Sequence, residues 1–234
     1  LIINYCLVCF AEIIPQIGWT ALFSKEEEVT VCWSCREKFS IIVGETCRTC
    51  DRPLEQIEPQ FKLHDQCLDC VRWEEDPHWA ETLEKNYSIV MYNDFAKEVM
   101  AQFKYRGDYV LGHVFASFMK KKLAAIPFDK IVPIPLSAER LYERGFNQSE
   151  AFIRACGFEP SDLFTRIHTE KQSKKSRSER IHLEQVFRIK EPIPNQNILL
   201  IDDIYTTGST LRHAAKCLKE AGADSVSSLT FARG

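Results

Sequence analysis

The chain has 234 residues, 45% of them hydrophobic and 27% charged, with a formal net charge of −3. That length holds one ordinary domain and a small module, and no apolar run approaches what a bilayer span needs. The start, LIINYC, has no basic region leading into an apolar stretch, so no secretory signal is expected; with no initiator Met it reads as trimmed or offset. Residues 1–80 hold 7 Lys+Arg against 14 Asp+Glu, and residues 81–234 hold 23 against 19. This asymmetry predicts two modules with different partners.

Eight of the ten cysteines fall in CxxC pairs: Cys6/Cys9, Cys32/Cys35, Cys47/Cys50 and Cys67/Cys70. A CxxC turn aims two sulfurs at one point, and two such turns complete a tetrahedral zinc site of four cysteines. The second set has 16 residues between its pairs, a usual ribbon spacing; the first has 22, which suggests an inserted loop around Glu26–Glu28. Disulfides would need an oxidising compartment, and nothing suggests export. A thioredoxin-like redox pair needs a βαβ context that residues 1–75 do not supply. Two structural Zn2+ sites are therefore expected, sequential pairing being simplest and an interleaved brace left open. Thiolate ligands would make the module more acidic by about −4 in all. It is thus a poor gripper of phosphates and reads as structural or as a protein-docking surface.

Residues 71–86 read as a linker that becomes a helix or turn, with Trp73, His78 and Trp79 covering the thin core of the zinc module. Ser88–Tyr92 reads as a strand, and Asp94 as the N-cap of a helix carrying Phe95, Val99 and Phe103 on one face. That helix ends at KYRGD (Lys104–Asp108), most simply a solvated basic end with a glycine stop. A second helix bears Leu111, Val114, Phe115, Phe118, Met119 and Leu123, with Lys120–Lys122 as a solvated C-terminal face. Lys130–Pro135 is a strand leading to a polar, Arg-rich turn (Arg140, Arg144, Gly145) before a helix near Asn147. Residues 166–190 hold 8 Lys+Arg and 3 Asp+Glu. Their core, QSKKSRSER, has no apolar residue and reads as a loop: a solvated one, a lid over a charged ligand, or a landing strip for a nucleic-acid backbone. Cys156 and Cys217 fall on predicted helices as core residues.

The most informative stretch is Asn197–Thr210, NILLIDDIYTTGST. An apolar run, Ile198–Ile201, predicts a buried strand. Asp202 and Asp203 would stand at its carboxyl end, where open α/β sheets bind ligands. Thr206, Thr207, Gly208, Ser209 and Thr210 then form a small-residue turn opening a helix, with Leu211, Ala214, Ala215, Leu218 and Ala221 at helical spacing and Gly222 as the stop. A helix amino end is a ready anion site, whereas two carboxylates suit sugar hydroxyls or a metal bridging to a polyphosphate. Ser225–Phe231 closes the sheet. Alternating strands and helices from 87 onward predict a parallel, doubly wound α/β domain.

The hydrophobic–Asp–Asp–x–x–Thr–Thr–Gly–x–Thr string resembles the phosphoribosyl pyrophosphate (PRPP) signature of type I phosphoribosyltransferases. Together with VPIPLS…ER…RGFNQ, KYRGD, TEKQSKK and the leading CxxC pairs, it makes the whole chain resemble the ComF/ComFC family of bacterial competence proteins. The resemblance implies a type I phosphoribosyltransferase-like parallel sheet flanked by helices over 87–234, a double zinc ribbon over 1–75 and a linker over 76–86. It implies that Asp202 and Asp203 contact ribose hydroxyls and that Thr206–Thr210 cradle the 5′-phosphate. Arg144, with Lys171, Lys174, Lys175 and Arg177 of a flexible loop, would neutralise the leaving pyrophosphate of PRPP bound with Mg2+. The family's role implies uptake and handling of single-stranded DNA, bound through the basic loops, in natural transformation. A ComFA-type helicase/ATPase would be the partner, docked on the zinc module; the chain has no GxxxxGK[ST] loop and is not recognisable as that motor. The expected location is cytoplasmic, open to recruitment to the inner membrane face by partners. An active phosphoribosyltransferase of nucleotide metabolism or salvage is the alternative, and no segment identifies an acceptor base.

Overall fold

The structure, a computed structural model, describes residues 4–13, 29–166 and 187–234. The expected insertion at Glu26–Glu28 and the basic loop residues Lys171, Lys174, Lys175 and Arg177 lie outside them.

Four parallel strands form the central sheet: β5 (Asn86–Met91), β10 (Ser225–Arg233), β9 (Asn197–Tyr205) and β6 (Lys130–Pro133), in that spatial order. Both middle strands are largely buried, as in a sheet covered on both faces: β9 through the apolar run Ile198–Ile201, and β10 with buried Ser228 and Thr230, whose hydroxyls hydrogen-bond to Asn86 and Ser88 of β5. β6 pairs with β9 only as far as Pro133 opposite Ile201, whereas β10 follows β9 on to Arg233 opposite Tyr205. The carboxyl end of β9, from Asp202 onward, therefore extends past its paired neighbour on one side.

One face of the sheet is covered by α3 (Asp94–Tyr105), α4 (Gly112–Leu123) and α6 (Gln148–Ala155), which bury Val99, Met100, Phe103, Phe115 and Phe152. The cap of α3 is Asn93, whose side chain accepts from the Ala96 N–H at 2.9 Å; Asp94, expected as the cap, is instead the first helical residue. Such a cap is worth about 1 kcal/mol. The other face is covered by α7 (Ser209–Glu220), burying Leu211, Ala214, Ala215 and Leu218. The Arg-rich stretch after β6 is more ordered than the turn expected: Ala138–Arg144 is a helix, α5, capped by the Ser137 hydroxyl and ended by Gly145 at φ 76°. A short antiparallel hairpin, β7 (Phe164–Arg166) with β8 (Phe187–Ile189), flanks the basic segment.

The cysteine-rich residues pack on both faces of the sheet. Between β1 (Asn4–Tyr5), β2 (Glu12–Ile13) and α1 (Trp33–Glu37) lies the first set, on the α3–α4 side. Phe39 anchors it, edge-on to Phe95 and Phe118 at 5.0 Å each and to Phe231 at 5.6 Å; burying one such ring is worth about 2–3 kcal/mol. Residues 40–42 then run antiparallel along β5, with Ile41 opposite Val90, and cover the sheet's edge. The second set, with β3 (Lys62–Leu63), β4 (Gln66–Cys67) and α2 (Leu68–Glu75), packs on the α7 side. Its Asp51 carboxylate accepts from the Ser88 N–H at 3.0 Å, and the Asn86 N–H donates to the Thr49 carbonyl at 2.7 Å.

Candidate functional site

Asp202 and Asp203 stand at the carboxyl end of β9, and Thr206–Thr210 carry the chain from there into α7. Strand pairing and buried flanks hold the two carboxylates in place. The Asp203 N–H donates to Asp202 Oδ1 at 2.9 Å. Burial, and then the like charge of Asp203, pushes the Asp202 carboxyl up to about 7; the Asp203 N–H, Lys104 and Arg166 pull it back. The Lys104 ammonium makes an ion pair with Asp203, both side chains largely shielded. Lys104 is thus no solvated helix end: α3 delivers a cation to the acidic pair. In the sequence it was indistinguishable from the basic last turn that any helix favours.

The turn after the acidic pair is fixed at Gly208, whose φ is +79°. A Cβ there would fall 2.2 Å from the Tyr205 hydroxyl and 2.6 Å from Arg212 Nη1, so only glycine fits. Thr206, Thr207 and Thr210 are exposed and Ser209 is half-buried, leaving hydroxyls beside the amino end of a 12-residue helix. Hydroxyls, backbone N–H groups and a positive dipole end together suit a phosphate. Beneath the loop the Trp73 indole N–H donates to the Thr207 carbonyl at 3.0 Å. Arg212, fully buried, donates to the Tyr205 hydroxyl at 2.7 Å, and Arg233 donates to the Tyr205 and Thr206 carbonyls at 3.1 Å each. Trp73 and Arg233 come from segments distant in sequence and Arg212 from the first turn of α7, and no local pattern marked any of the three as a support.

Arg144 lies at the end of α5. It donates to Gln148 Oε1 at 2.6 Å, and its guanidinium sits 5.6 Å over the ring of Tyr105, the neighbour of Lys104. Its Nε is buried without a hydrogen-bond partner. Asn147 caps α6 and donates to the Ile134 carbonyl at 3.0 Å, tying this loop to the end of β6. Arg166 donates to the Pro135 carbonyl at 2.9 Å, and burial, then Arg140, lowers its pKa.

The eight CxxC cysteines form two groups, Cys6/Cys9/Cys32/Cys35 and Cys47/Cys50/Cys67/Cys70, each with its sulfurs within 4.8 Å of one another. The pairing is sequential. Cys9 and Cys32 Sγ are 3.6 Å apart, and Cys50 and Cys67 Sγ 3.7 Å. These separations are far too long for disulfides and match the edge of about 3.8 Å of a tetrahedron of sulfurs around zinc. Backbone N–H groups support the sulfurs, Cys32 donating to Cys6 at 3.3 Å and Cys67 to Cys47 at 3.4 Å. Either group could hold Zn2+, its four sulfurs filling every position of a closed, structural site. Cys156 and Cys217 stand apart and half-buried; burial pushes the Cys156 thiol up to about 11 and raises Cys217 as well.

A parallel α/β sheet with an acidic pair and a Thr/Gly turn at one strand's carboxyl end, beside two tetrads of cysteine, defines a phosphoribosyltransferase-type fold with a cysteine-rich amino-terminal segment. The family model described as "Phosphoribosyl transferase domain" matches residues 158–234, which include the acidic pair and the loop but not Arg144. The chain belongs to the ComFC family of competence proteins. It is 40% identical over 233 residues to competence protein ComFC of Bacillus subtilis, covering 97% of this chain and 94% of that one. It is 34% identical over 230 residues to ComFC of Streptococcus pneumoniae, covering 97% and 99%. A more distant relative, DNA utilization protein YhgH of Salmonella typhi, is 26% identical over 220 residues, covering 84% and 93%. Among solved structures, an allosteric regulatory enzyme of purine biosynthesis matches at 15% identity and a TM-score of 0.37, over 53% of this chain and 26% of that one. A hypoxanthine phosphoribosyltransferase from Staphylococcus aureus matches at 16% and 0.33, over 52% and 62%. Likenesses this low carry no argument about activity. Among the described residues no helix is long and apolar enough to cross a membrane.

Proposed function

We propose that the chain supports the handling of single-stranded DNA during natural transformation and carries a PRPP-binding site of the phosphoribosyltransferase type. The observation that carries the site is the junction of β9 and α7, where paired carboxylates and a Thr/Gly/Ser turn at a helix amino end follow one another at the carboxyl end of the sheet. In this reading Asp202 and Asp203 accept hydrogen bonds from the ribose hydroxyls. Thr206, Thr207, Gly208, Ser209 and Thr210 hold the 5′-phosphate. Arg144, with Lys171, Lys174, Lys175 and Arg177, faces the pyrophosphate. Lys104 already pairs with Asp203, so Mg2+ bound with PRPP would rely on the pyrophosphate more than on Asp203, and it would supply charge neutralisation there. In turnover, an acceptor nucleophile forms a bond to the anomeric carbon as the bond to pyrophosphate breaks, through a cation-like transition state. These residues would then act by positioning and charge.

The DNA-handling role rests on the names of the relatives and on the surface beside the site. Tyr105 and Tyr142 are 73% and 92% exposed, and Arg106 and Arg140 are also exposed. Exposed rings interleaved with cations are the elements that stack and grip a single strand. The acidic ribbons, docking a ComFA-type helicase/ATPase, complete this reading, which places the protein on the cytoplasmic side.

The test is calorimetric binding of PRPP with Mg2+ to the native chain and to the Asp202→Asn/Asp203→Asn variant. The expected outcome is binding by the native chain and at least a hundredfold loss in the variant, as several charge-assisted hydrogen bonds disappear. A folded, zinc-loaded native chain that binds no PRPP would overturn the ribose-phosphate site and leave a scaffold for DNA and partners.

A further inference from the structure

One face of α2 joins the second cysteine group to the loop after β9. Cys67 precedes the helix as its N-cap, and Cys70, Trp73 and Glu74 follow at spacings of three and four, the same side of one helix. Cys70 belongs to the sulfur tetrad. Trp73 donates to the Thr207 carbonyl at 3.0 Å. Arg212, which anchors Tyr205, lies 4.8 Å over the Trp73 ring and 3.9 Å from the Glu74 carboxylate. A second connection runs through Arg233, only 1% exposed. Its Nη2 donates to Cys50 Sγ at 3.5 Å, while its Nη1 reaches the Tyr205 and Thr206 carbonyls and also contacts the Gly234 carbonyl.

A buried guanidinium is costly unless an opposite charge accompanies it. The carbonyls supply only dipoles, whereas four thiolates around one Zn2+ carry about −2 in total by ligand counting. The planar fork of arginine spans both partners at once, which a lysine ammonium on its flexible stem does not do. At Gly208 the loop lies so close to Tyr205 and Arg212 that a single methyl would collide, so any shift of those supports is passed to the backbone. The first cysteine group lies on the opposite face, against Phe39 and the α3–α4 layer.

We propose that the Cys47/Cys50/Cys67/Cys70 group sets the conformation of Thr206–Thr210, with Trp73 and Arg233 as the positioning residues that transmit it. Loading of this group with metal, and loss of that metal to a chelator, then controls whether the loop is shaped for a phosphate. The ligand half of this inference rests on the ribose-phosphate reading; the loop half does not.

The test is hydrogen–deuterium exchange over residues 204–212 in the zinc-loaded chain and in Trp73→Phe, Arg233→Lys and Cys9→Ser, with zinc content and PRPP·Mg2+ affinity measured on each. Trp73→Phe keeps an aromatic ring under Arg212 and removes one donor. Arg233→Lys keeps the charge and loses the fork. Both are expected to retain two zinc ions, to raise exchange in this peptide, and to weaken PRPP by about fivefold, the value of one hydrogen bond. Cys9→Ser is expected to lose one zinc and change neither loop exchange nor affinity. Unchanged exchange in Trp73→Phe, or an equal rise in Cys9→Ser, overturns the proposal. Should Arg233→Lys lose its zinc by misfolding, Trp73→Phe decides alone. A native chain that binds no PRPP defeats the ribose-phosphate reading, and the exchange data still decide the coupling.

Discussion

The two cysteine groups share a ligand set and differ in burial. In the first, Cys6 and Cys35 are buried, Cys32 is half-buried and Cys9 is exposed; in the second, all four are buried. The first clips short strands and α1 to the rim of the α3–α4 layer. The second is part of the packed core beneath α7, shared with Leu200, Tyr205 and Leu211. The same four-cysteine set therefore stands as a surface clip on one face and as a core element on the other.

Removing one ligand from each group challenges that contrast most directly. Cys50→Ser leaves a polar hydroxyl and a weakened site in a space closed to water, and it removes the thiolate that Arg233 contacts, lowering the counter-charge beside that guanidinium. The melting temperature is expected to fall by about 10–20 °C, the consequence of several kcal/mol in a chain of this size. Cys9→Ser opens a site already at the surface and is expected to cost about 5 °C or less. Thermal melts with zinc stoichiometry decide it. Equal losses would mean that burial does not separate the two groups.

The contrast between the groups was invisible in the sequence, although their membership was plain. CxxC spacing is a local signal, and so is the apolar run Ile198–Ile201 ending in Asp202 and Asp203; both predicted where sulfurs and carboxylates would gather. The helices after β5 and β9 were legible from their apolar periodicity. What escaped were relations between distant segments. Lys104 read as a helix-end charge until α3 placed it on Asp203. Trp73 read as cover for the zinc module, and it also holds Thr207, 134 positions away. Arg212 and Arg233 are ordinary charges in composition, and only tertiary packing marks them as buried supports. α5 was missed because its apolar content is too thin for periodicity to register, and its end signals, the Ser137 cap and the Gly145 stop, also fit a turn.

A smaller effect, at Gly208, asks whether the two faces are independent. Gly208→Ala adds a methyl against Tyr205 and Arg212 in a backbone conformation that L-residues resist, for an expected loss of about 2–4 kcal/mol. The disturbance should remain on the α7 side. Denaturant unfolding gives the size, and exchange mapping gives the place: protection should drop in 204–212 and in α2 while residues 36–42 keep theirs. A drop of equal size in both regions would show the two faces to be one cooperative unit.

The smallest effect separates what each face contributes to the site. Lys104 reaches the acidic pair from the α3 face and supplies charge, whereas Trp73 reaches the loop from the other face and supplies shape. Asp202 titrates near 7 in the folded chain against about 3.9 unfolded. The folded state thus binds the extra proton between these values, and this group's contribution to stability falls as pH rises through that window. Ribose hydroxyls need the carboxylate as acceptor, so PRPP·Mg2+ affinity is expected to rise with pH up to about 7 and then level off. Lys104 pulls Asp202 down, so Lys104→Met should move the midpoint upward by less than about one pH unit. Trp73→Phe should lower affinity at every pH and leave the midpoint where it was. Asp202→Asn provides the control for titration of the ligand's own phosphates, whose second pKa is about 6. If Trp73→Phe displaces the midpoint as far as Lys104→Met does, then charge and shape are not divided between the faces, and the acidic pair responds to the second cysteine group as directly as the loop does.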